Sequence, residues 1–160
     1  LGKIPRFQRG LYLSAARSYL FNSVLAARVN DGKWDQAMDG DVMALAGTSS
    51  VFKAQVDDEA IQERLISLDI HPTGPMWGAG ESSTSAAVKE LERAMADKYP
   101  VLAEGLAEAG LKQERRPLRV VPEKLSIRPA GEQELVVEFS LPSGTYATSV
   151  LREMVVAPGL

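Results

Sequence analysis

The sequence contains no cysteine and a single histidine, His71, among its 160 residues. The absence of cysteine excludes disulfide bonds, thiolate metal sites and cysteine nucleophiles, and it is typical of the reducing cytoplasm, where we expect this protein. Without cysteine and with a single histidine, the sequence has no zinc-ligand cluster. No G-x-S-x-G segment is present, so a serine-hydrolase triad is not indicated and His71 is expected to be a surface residue.

Long hydrophobic runs and nucleotide-binding glycine motifs are also missing. No eighteen consecutive apolar residues occur, and the first ten residues have no apolar signal core, so we expect neither a membrane span nor a membrane partner. The segment GAGESS at residues 78–83 lacks the third glycine of a dinucleotide-binding motif and the lysine of a P-loop. We therefore expect no cofactor and no metal.

The charges are divided into blocks, although the net charge is only −3. Residues 1–33, the first basic block, carry a net charge of +5, and residues 111–128, the second basic block, carry +4. Residues 34–110 carry −9 and residues 129–160 carry −3. If the two basic blocks meet in the fold, they form a cationic face that attracts a polyanion; otherwise they are ordinary solvated charges.

Apolar periodicity predicts several amphipathic helices. In residues 13–29 apolar side chains recur at three- and four-residue spacing, and the NDGKW segment then ends the helix with Gly32 in a suitable C-terminal position. Further helices are predicted over DEAIQERLISL with Asp57 or Asp58 as N-cap, over residues 85–99, over a shorter segment ending at Gly110, and around Arg152 and Glu153.

The segments GDVMALAG, SSVFKAQV and ELVVEFSL predict strands because they are apolar or alternate between apolar and polar residues. Residues 69–84, DIHPTGPMWGAGESST, are rich in glycine and proline and predict a long loop anchored by Trp77. The residues alone therefore predict an α+β fold (mixed α/β) with two basic blocks and no local catalytic motif.

Five segments resemble the C-terminal half of the TruD family of tRNA pseudouridine synthases, in the order of that family. They are LYLSAARSYLFNSVLAARV, DGDVMALAG, PTGPMWGAG, ERRPLRVVPEKL and FSLPSGTYATSVLREMV, and together they span nearly the whole chain. The resemblance implies a cytoplasmic isomerase that converts a uridine of tRNA to pseudouridine, uridine 13 in bacterial members, without cofactor or metal.

The resemblance also implies a division of the chain. Residues 1–121 correspond to most of an α/β domain that this family inserts into its catalytic domain. Residues 122–160 correspond to strands and a helix of the pseudouridine synthase catalytic sheet. A basic cleft for tRNA is expected between the two domains.

The catalytic aspartate of the family lies in a Gly-x-Lys-Asp segment, and the aromatic residue that stacks on the target base lies in an Asn-Tyr-Phe-Gly segment. Neither segment occurs here, so no catalytic residue is assigned to this chain, which we expect to be a fragment that is inactive without the missing N-terminal part. Gly144–Tyr146 match a Gly-Thr-Tyr pocket segment of a neighbouring synthase family, but Thr148 stands where that family has arginine. Tyr146 and Thr148 are accordingly expected to line the uridine pocket, and the alternative for Tyr146 is a place in the core.

Phosphate contacts supply most non-specific affinity for RNA. The residues expected to make them are Arg17, Lys112, Arg115, Arg116 and Arg119. For the last four the alternative is a solvated strand edge, and for Arg17 it is an internal salt bridge. Two other classes of function remain open at this point: a free-standing RNA-binding module without catalysis, and a protein-interaction domain with incidental basic blocks.

Overall fold

The chain folds into two units, Leu1–Arg119 and Val120–Leu160. The structure, a computed structural model, describes residues 4–155. In the first unit the elements are α1 (Arg6–Asn30), β1 (Val42–Leu45), β2 (Val51–Lys53), α2 (Glu59–Ile66), β3 (Ile70–Met76), α3 (Ala86–Lys98), α4 (Pro100–Glu108) and β4 (Glu114–Pro117). In the second unit they are β5 (Glu123–Pro129), β6 (Leu135–Ser140) and α5 (Ala147–Met154). The predicted α+β fold is confirmed.

Helix α1 begins at Arg6, well before the predicted start at residue 13. Its first turn forms on Pro5, whose carbonyl accepts from the Arg9 amide at 3.0 Å. The side chains of these first turns are exposed, and apolar periodicity reports only the part of a helix that packs on a core. Gly32, with φ of +65°, follows the helix end as expected. No helix among residues 4–155 is long and apolar enough to cross a membrane.

The first unit contains a four-stranded sheet in the order β2-β1-β3-β4, with antiparallel pairing between all neighbours. Strands β1 and β2 lie where the sequence predicts them. Helix α2 is also confirmed: Asp58 caps it, since its carboxylate accepts from the Ala60 amide at 2.9 Å. One hydrophobic cluster on this sheet combines Met43, Ile61, Leu65 and Ile70.

The prediction of a loop over residues 69–84 is wrong for its first half, because β3 lies at the centre of the sheet. Residues 70–75 are all buried, and a strand covered on both faces shows no alternation of apolar and polar side chains. The Pro72 carbonyl accepts from the Leu118 amide at 2.8 Å. Antiparallel alternation then makes Gly74 and Arg116 the next hydrogen-bonded pair and leaves Pro75 opposite Arg115 in a non-hydrogen-bonded pair. The missing N–H of Pro75 therefore costs no hydrogen bond with β4.

The second unit is a two-stranded hairpin, β5 with β6, followed by α5. No residue among 120–155 is buried. Several of its large apolar side chains are exposed: Leu125, Ile127, Leu135, Tyr146 and Val155. Hence ELVVEFSL forms the strand that its pattern predicts, but its apolar face is at most half-buried.

Candidate nucleic-acid interface

Arg17 joins α1 to the ends of β3 and β4. Its Nε donates to the Trp77 carbonyl at 3.0 Å, and its Nη2 donates to the carbonyls of Met76 at 2.8 Å and Lys112 at 2.6 Å. Its Nη1 lies 3.1 Å from the Glu114 carboxylate. The Arg17 side chain is only 11% exposed. Arg17 thus has the internal role that the sequence left as its alternative, while the prediction that it contacts RNA stays a prediction.

These contacts bring the two basic blocks together. Arg17 belongs to the first basic block, and the Lys112 carbonyl that it binds belongs to the second. A second contact supports this arrangement, because the Arg116 guanidinium carbon lies 5.7 Å from the centre of the Phe21 ring on α1. Within the first unit, Lys112, Glu114 and Arg116 of the second basic block therefore contact α1.

Arg115 is held inside the first unit by β3 and α3. Its Nε and Nη2 donate to the hydroxyl and carbonyl oxygens of Thr73 at 2.9 and 2.7 Å. Its Nη1 donates to Glu92 Oε2 at 3.0 Å and lies 2.8 Å from Oε1, a close ionic contact without hydrogen-bond alignment. The Arg115 side chain is 8% exposed and that of Glu92 is 2% exposed. Arg115 therefore has its hydrogen-bonding capacity directed inward.

Glu92 is a buried carboxylate on the core-facing side of α3, between Val88 and Ala96. The hydroxyls of Thr84 and Ser82 donate to its Oε2 at 3.1 and 3.3 Å. Burial raises the pKa of the Glu92 carboxyl, against the opposing charge and hydrogen bonds of Arg115 and the hydrogen bonds of the two hydroxyls. Sequence periodicity missed Glu92, because a charged residue on an apolar helix face is ordinarily assigned to solvent.

Arg119 and His71 form another internal pair, and the expectation of a surface histidine is wrong. His71 is 8% exposed on β3. Arg119 Nε donates to His71 Nδ1 at 2.9 Å, and its Nη2 donates to the carbonyls of Leu65 at 2.7 Å and Ile70 at 2.8 Å. Arg119 therefore ties β4 to the end of α2 and the start of β3.

Lys112 differs from the four arginines in its exposure. It is exposed, whereas Arg17, Arg115, Arg116 and Arg119 are not. It also lies next to the contact between the two basic blocks, since its own carbonyl binds Arg17. Among the five predicted RNA contacts, Lys112 is the side chain most accessible to a phosphate.

A buried ion pair that the sequence did not predict lies on the opposite end of α1. Arg28 donates to both carboxylate oxygens of Asp41, at 2.8 and 2.9 Å, and the two side chains are 1% and 0% exposed. Asp41 lies in the GDVMALAG segment, directly before β1. The only sequence signal for the pair is a basic residue in the last turn of a helix, followed by an acidic residue ahead of a strand.

The first unit also has an open cleft of about 970 Å³, lined among others by Asp39, Lys53, Asp57, Asp58 and Ser85. With three carboxylates and one lysine among these residues, it is unsuited to a phosphate backbone. No group of three or more histidine, cysteine or acidic residues among residues 4–155 is arranged to hold a metal ion.

Tyr146 and Thr148 lie at the start of α5 in the second unit. Tyr146 occupies the N-cap position and is 73% exposed, and Thr148 is exposed in the first turn. The preceding turn is closed by Thr145, whose amide and hydroxyl both donate to the Pro142 carbonyl, and by Gly144 with φ of +85°. The turn thus presents both side chains to solvent, and their role in a uridine pocket stays a prediction.

This geometry alone defines an α+β RNA-binding candidate, and comparison with known proteins gives its family. Residues 1–154 match the family described as tRNA pseudouridine synthase D (TruD). The chain therefore belongs to the TruD family, as its resemblance predicted.

Two relatives and one crystal structure illustrate the match. A tRNA pseudouridine synthase D from Xanthomonas euvesicatoria is 49% identical over 149 residues, which cover 92% of this chain and 40% of the relative. One from Nitrosococcus oceani is 45% identical over 157 residues, covering 96% and 44%. The crystal structure of a TruD protein from Methanosarcina mazei aligns with a TM-score of 0.67 at 27% identity, covering 86% of this chain and 36% of that one. The chain thus spans about two fifths of the length of these relatives.

Proposed function

We propose that this chain is the tRNA-binding portion of a cytoplasmic tRNA pseudouridine synthase that isomerises a uridine of tRNA. The proposed target is uridine 13, as in bacterial members of the family. The contact between the two basic blocks supports the proposal, because it brings cationic segments from distant parts of the sequence next to each other within the first unit. Clustered cations are what phosphate recognition requires.

The catalytic aspartate of the family is proposed to come from outside this chain. The Gly-x-Lys-Asp segment is absent from the 160 residues, and the relatives are more than twice as long as the part that matches. Breaking and re-forming the glycosidic bond requires a positioned nucleophile or base. We therefore assign RNA binding and part of the cleft to this chain, and the chemistry to the rest of the family's length.

The division of the chain supports the same proposal. We assign residues 1–121 to the inserted domain and residues 122–160 to the catalytic sheet. The two units divide between Arg119 and Val120, close to that boundary. The absence of any buried residue among 120–155 is what a fragment of a larger sheet would show.

The RNA contact is tested by tRNA binding at a series of salt concentrations. Lys112→Ala is expected to weaken binding to many tRNAs alike and to reduce the slope of log affinity against log salt by about one, the effect of losing one phosphate contact. Lys89→Ala is the matched control, since Lys89 is also exposed but lies on α3 in the acidic segment. Equal slopes for the two variants would remove Lys112 from the interface. A salt-independent affinity of the unsubstituted chain would reject the RNA-binding proposal itself.

The enzymatic part is tested with a chimera in which residues 1–154 replace the matching region of the Xanthomonas relative, 49% identical to them. The chimera is expected to form pseudouridine in tRNA, detected by carbodiimide modification and primer extension, whereas this chain alone forms none. Pseudouridine formation by the chain alone would contradict the proposed division of labour. Binding of tRNA with an inactive, folded chimera would favour the RNA-binding module without catalysis.

The pocket residues are tested in the same chimera. Tyr146→Ala is expected to lower the rate of pseudouridine formation, because the exposed ring at the start of α5 is available to contact the target base. Val155→Ala, at an exposed apolar residue just after α5, serves as the control. Equal rates for the two variants would show that Tyr146 does not line the pocket.

A further inference from the structure

Arg119 occupies a special position, because it is the last residue of the first unit and Val120 begins the second. The chain therefore leaves the first unit directly after this side chain. Three hydrogen bonds, of 2.7 to 2.9 Å, hold its guanidinium to His71, Leu65 and Ile70. We call these four residues the Arg119 clasp. They fix the point at which the chain departs.

The clasp requires one particular protonation state of His71. A guanidinium can only donate hydrogen bonds, so the Nδ1 atom that receives Arg119 Nε at 2.9 Å must carry a lone pair. His71 is therefore neutral, with its proton on Nε2. Protonation of Nδ1 would turn the acceptor into a donor and place two cations in contact.

The surroundings of His71 disfavour its protonation. It is buried in the central strand, paired with Ala44 of β1. The charged groups that act on it are Arg119 and Asp69, and Asp69 is itself paired with Arg64 at 2.6 Å; Asp35 acts on Arg119. Burial, followed by the charge of Arg119, lowers the pKa of His71, and Asp69 opposes them. The neutral state is therefore the resting state of the clasp.

We infer that His71 and Arg119 form a proton-controlled clasp at the C-terminal end of the first unit. Neutral His71 holds Arg119 against the first unit, and protonation of His71 releases the guanidinium and, with it, the start of the segment at Val120. The inference concerns the first unit alone and does not depend on tRNA binding or on catalysis.

Trypsin provides a direct test, because its S1 pocket must bind the arginine side chain that precedes the cleaved bond. The Arg119–Val120 bond is therefore cleavable only when the clasp is open. The bond after Lys124, an exposed residue of the second unit, is the internal reference that cancels the effect of pH on trypsin. The ratio of the two rates is expected to rise about tenfold per pH unit as the pH falls below about 6.5, and to level off at the lowered pKa of His71, because only over that range does each unit add one decade of protonated histidine to the closed clasp.

His71→Asn separates protonation from geometry, because an asparagine side-chain oxygen can accept from Arg119 and does not titrate. In this variant the ratio should not vary with pH. Equal pH profiles for the variant and the unsubstituted chain would overturn the inference.

If the His71→Asn variant does not fold, NMR of the unsubstituted chain still tests the inference. ¹⁵N NMR of its single histidine should show the proton on Nε2 at pH 7.5, and a proton on Nδ1 would refute the clasp.

Discussion

Arg28 and Asp41 show how much depends on a single charge in the first unit. The pair is fully buried, and the Asp41 carboxylate also accepts from the Met38 amide at 2.8 Å. Arg28 makes further hydrogen bonds to the carbonyls of Lys33 and Gln36. The pair therefore orders the connection from α1 to β1, and neither partner has access to water if the other is removed.

We predict that Asp41→Asn lowers the free energy of unfolding by about 3–5 kcal/mol, because it leaves a buried guanidinium without a countercharge. Arg93→Ala is the control, since the Arg93–Asp97 pair is 79% and 71% exposed and such pairs contribute about 0–1 kcal/mol. Both tryptophans, Trp34 and Trp77, lie in the first unit, so their fluorescence in urea measures its unfolding. Similar midpoints for the two variants would contradict this account of the pair.

Glu92 predicts a pH dependence of stability that is unusual for a carboxylate. Its pKa is raised in the folded state, so between the ordinary value and the raised one the folded protein binds more protons than the unfolded chain. The contribution of Glu92 to the free energy of unfolding is therefore fully present below the ordinary pKa of a glutamate carboxyl. It is lost as the pH rises through the raised pKa of Glu92 in the folded protein.

The difference in unfolding free energy between the unsubstituted chain and Glu92→Gln should isolate this effect. We expect the difference to fall as the pH rises from 4 towards neutrality, because glutamine does not titrate. Urea unfolding at several pH values measures it. A difference that grows with pH would mean that the charge of Arg115 outweighs burial.

At the scale of elements, β3 depends on the small size of Gly74. A Cβ at this position would meet Leu118 Cδ2 at 2.8 Å and Phe21 Cε2 at 2.9 Å. Strand β4 and helix α1 thus approach β3 closely at the place where the two basic blocks also meet.

We predict that Gly74→Ala destabilises the first unit by about 1–3 kcal/mol, because two packed side chains must shift. Gly105→Ala is the matched substitution: Gly105 lies in α4 with no atom within 4 Å of the added Cβ, so it should stabilise the helix by about 0.5–1 kcal/mol. Tryptophan fluorescence in urea measures both. Destabilisation by both substitutions would show that the close approach at Gly74 is not the cause.

Apart from β1, which was predicted from its apolar run, the elements that could be predicted from the sequence are those with one exposed face. Helices α2 and α3 and strand β6 carry side-chain alternation that reflects a boundary with solvent. Strand β3 carries none, and it pairs with β1 and β4 from distant parts of the sequence. Composition alone then suggested a loop, because the proline positions become compatible with a strand only in the register that β4 provides.

The sequence predicted part of the candidate site, as it predicted part of the fold. The sequence identified Arg17, Arg115 and Arg119 as notable cations, but it could not supply their partners. Those partners are mostly backbone carbonyls, and the others are two carboxylates, the Thr73 hydroxyl and His71. Only the exposure of Lys112 distinguishes it from the others, and exposure is a property of the fold.

At the scale of the whole molecule, the two units are expected to differ in local stability. The first unit has a buried core, whereas residues 120–155 contain no buried residue, and an isolated two-stranded hairpin is marginal in water. We predict that amides of β5 and β6 exchange with deuterium far faster than those of β1 and β3. Hydrogen-exchange mass spectrometry of the chain measures this, and comparable protection in both units would contradict it.

The contacts of Arg17 bear on how the protein is made on the ribosome. The side chain sits near the start of the chain, yet its acceptor carbonyls lie 59, 60 and 95 positions further along. Helix α1 therefore leaves the exit tunnel long before the strand that secures it has been translated, and such long-range contacts form late. We expect nascent chains stalled before Lys112 to expose α1 to chaperones, and those stalled well after β4 has emerged to protect it.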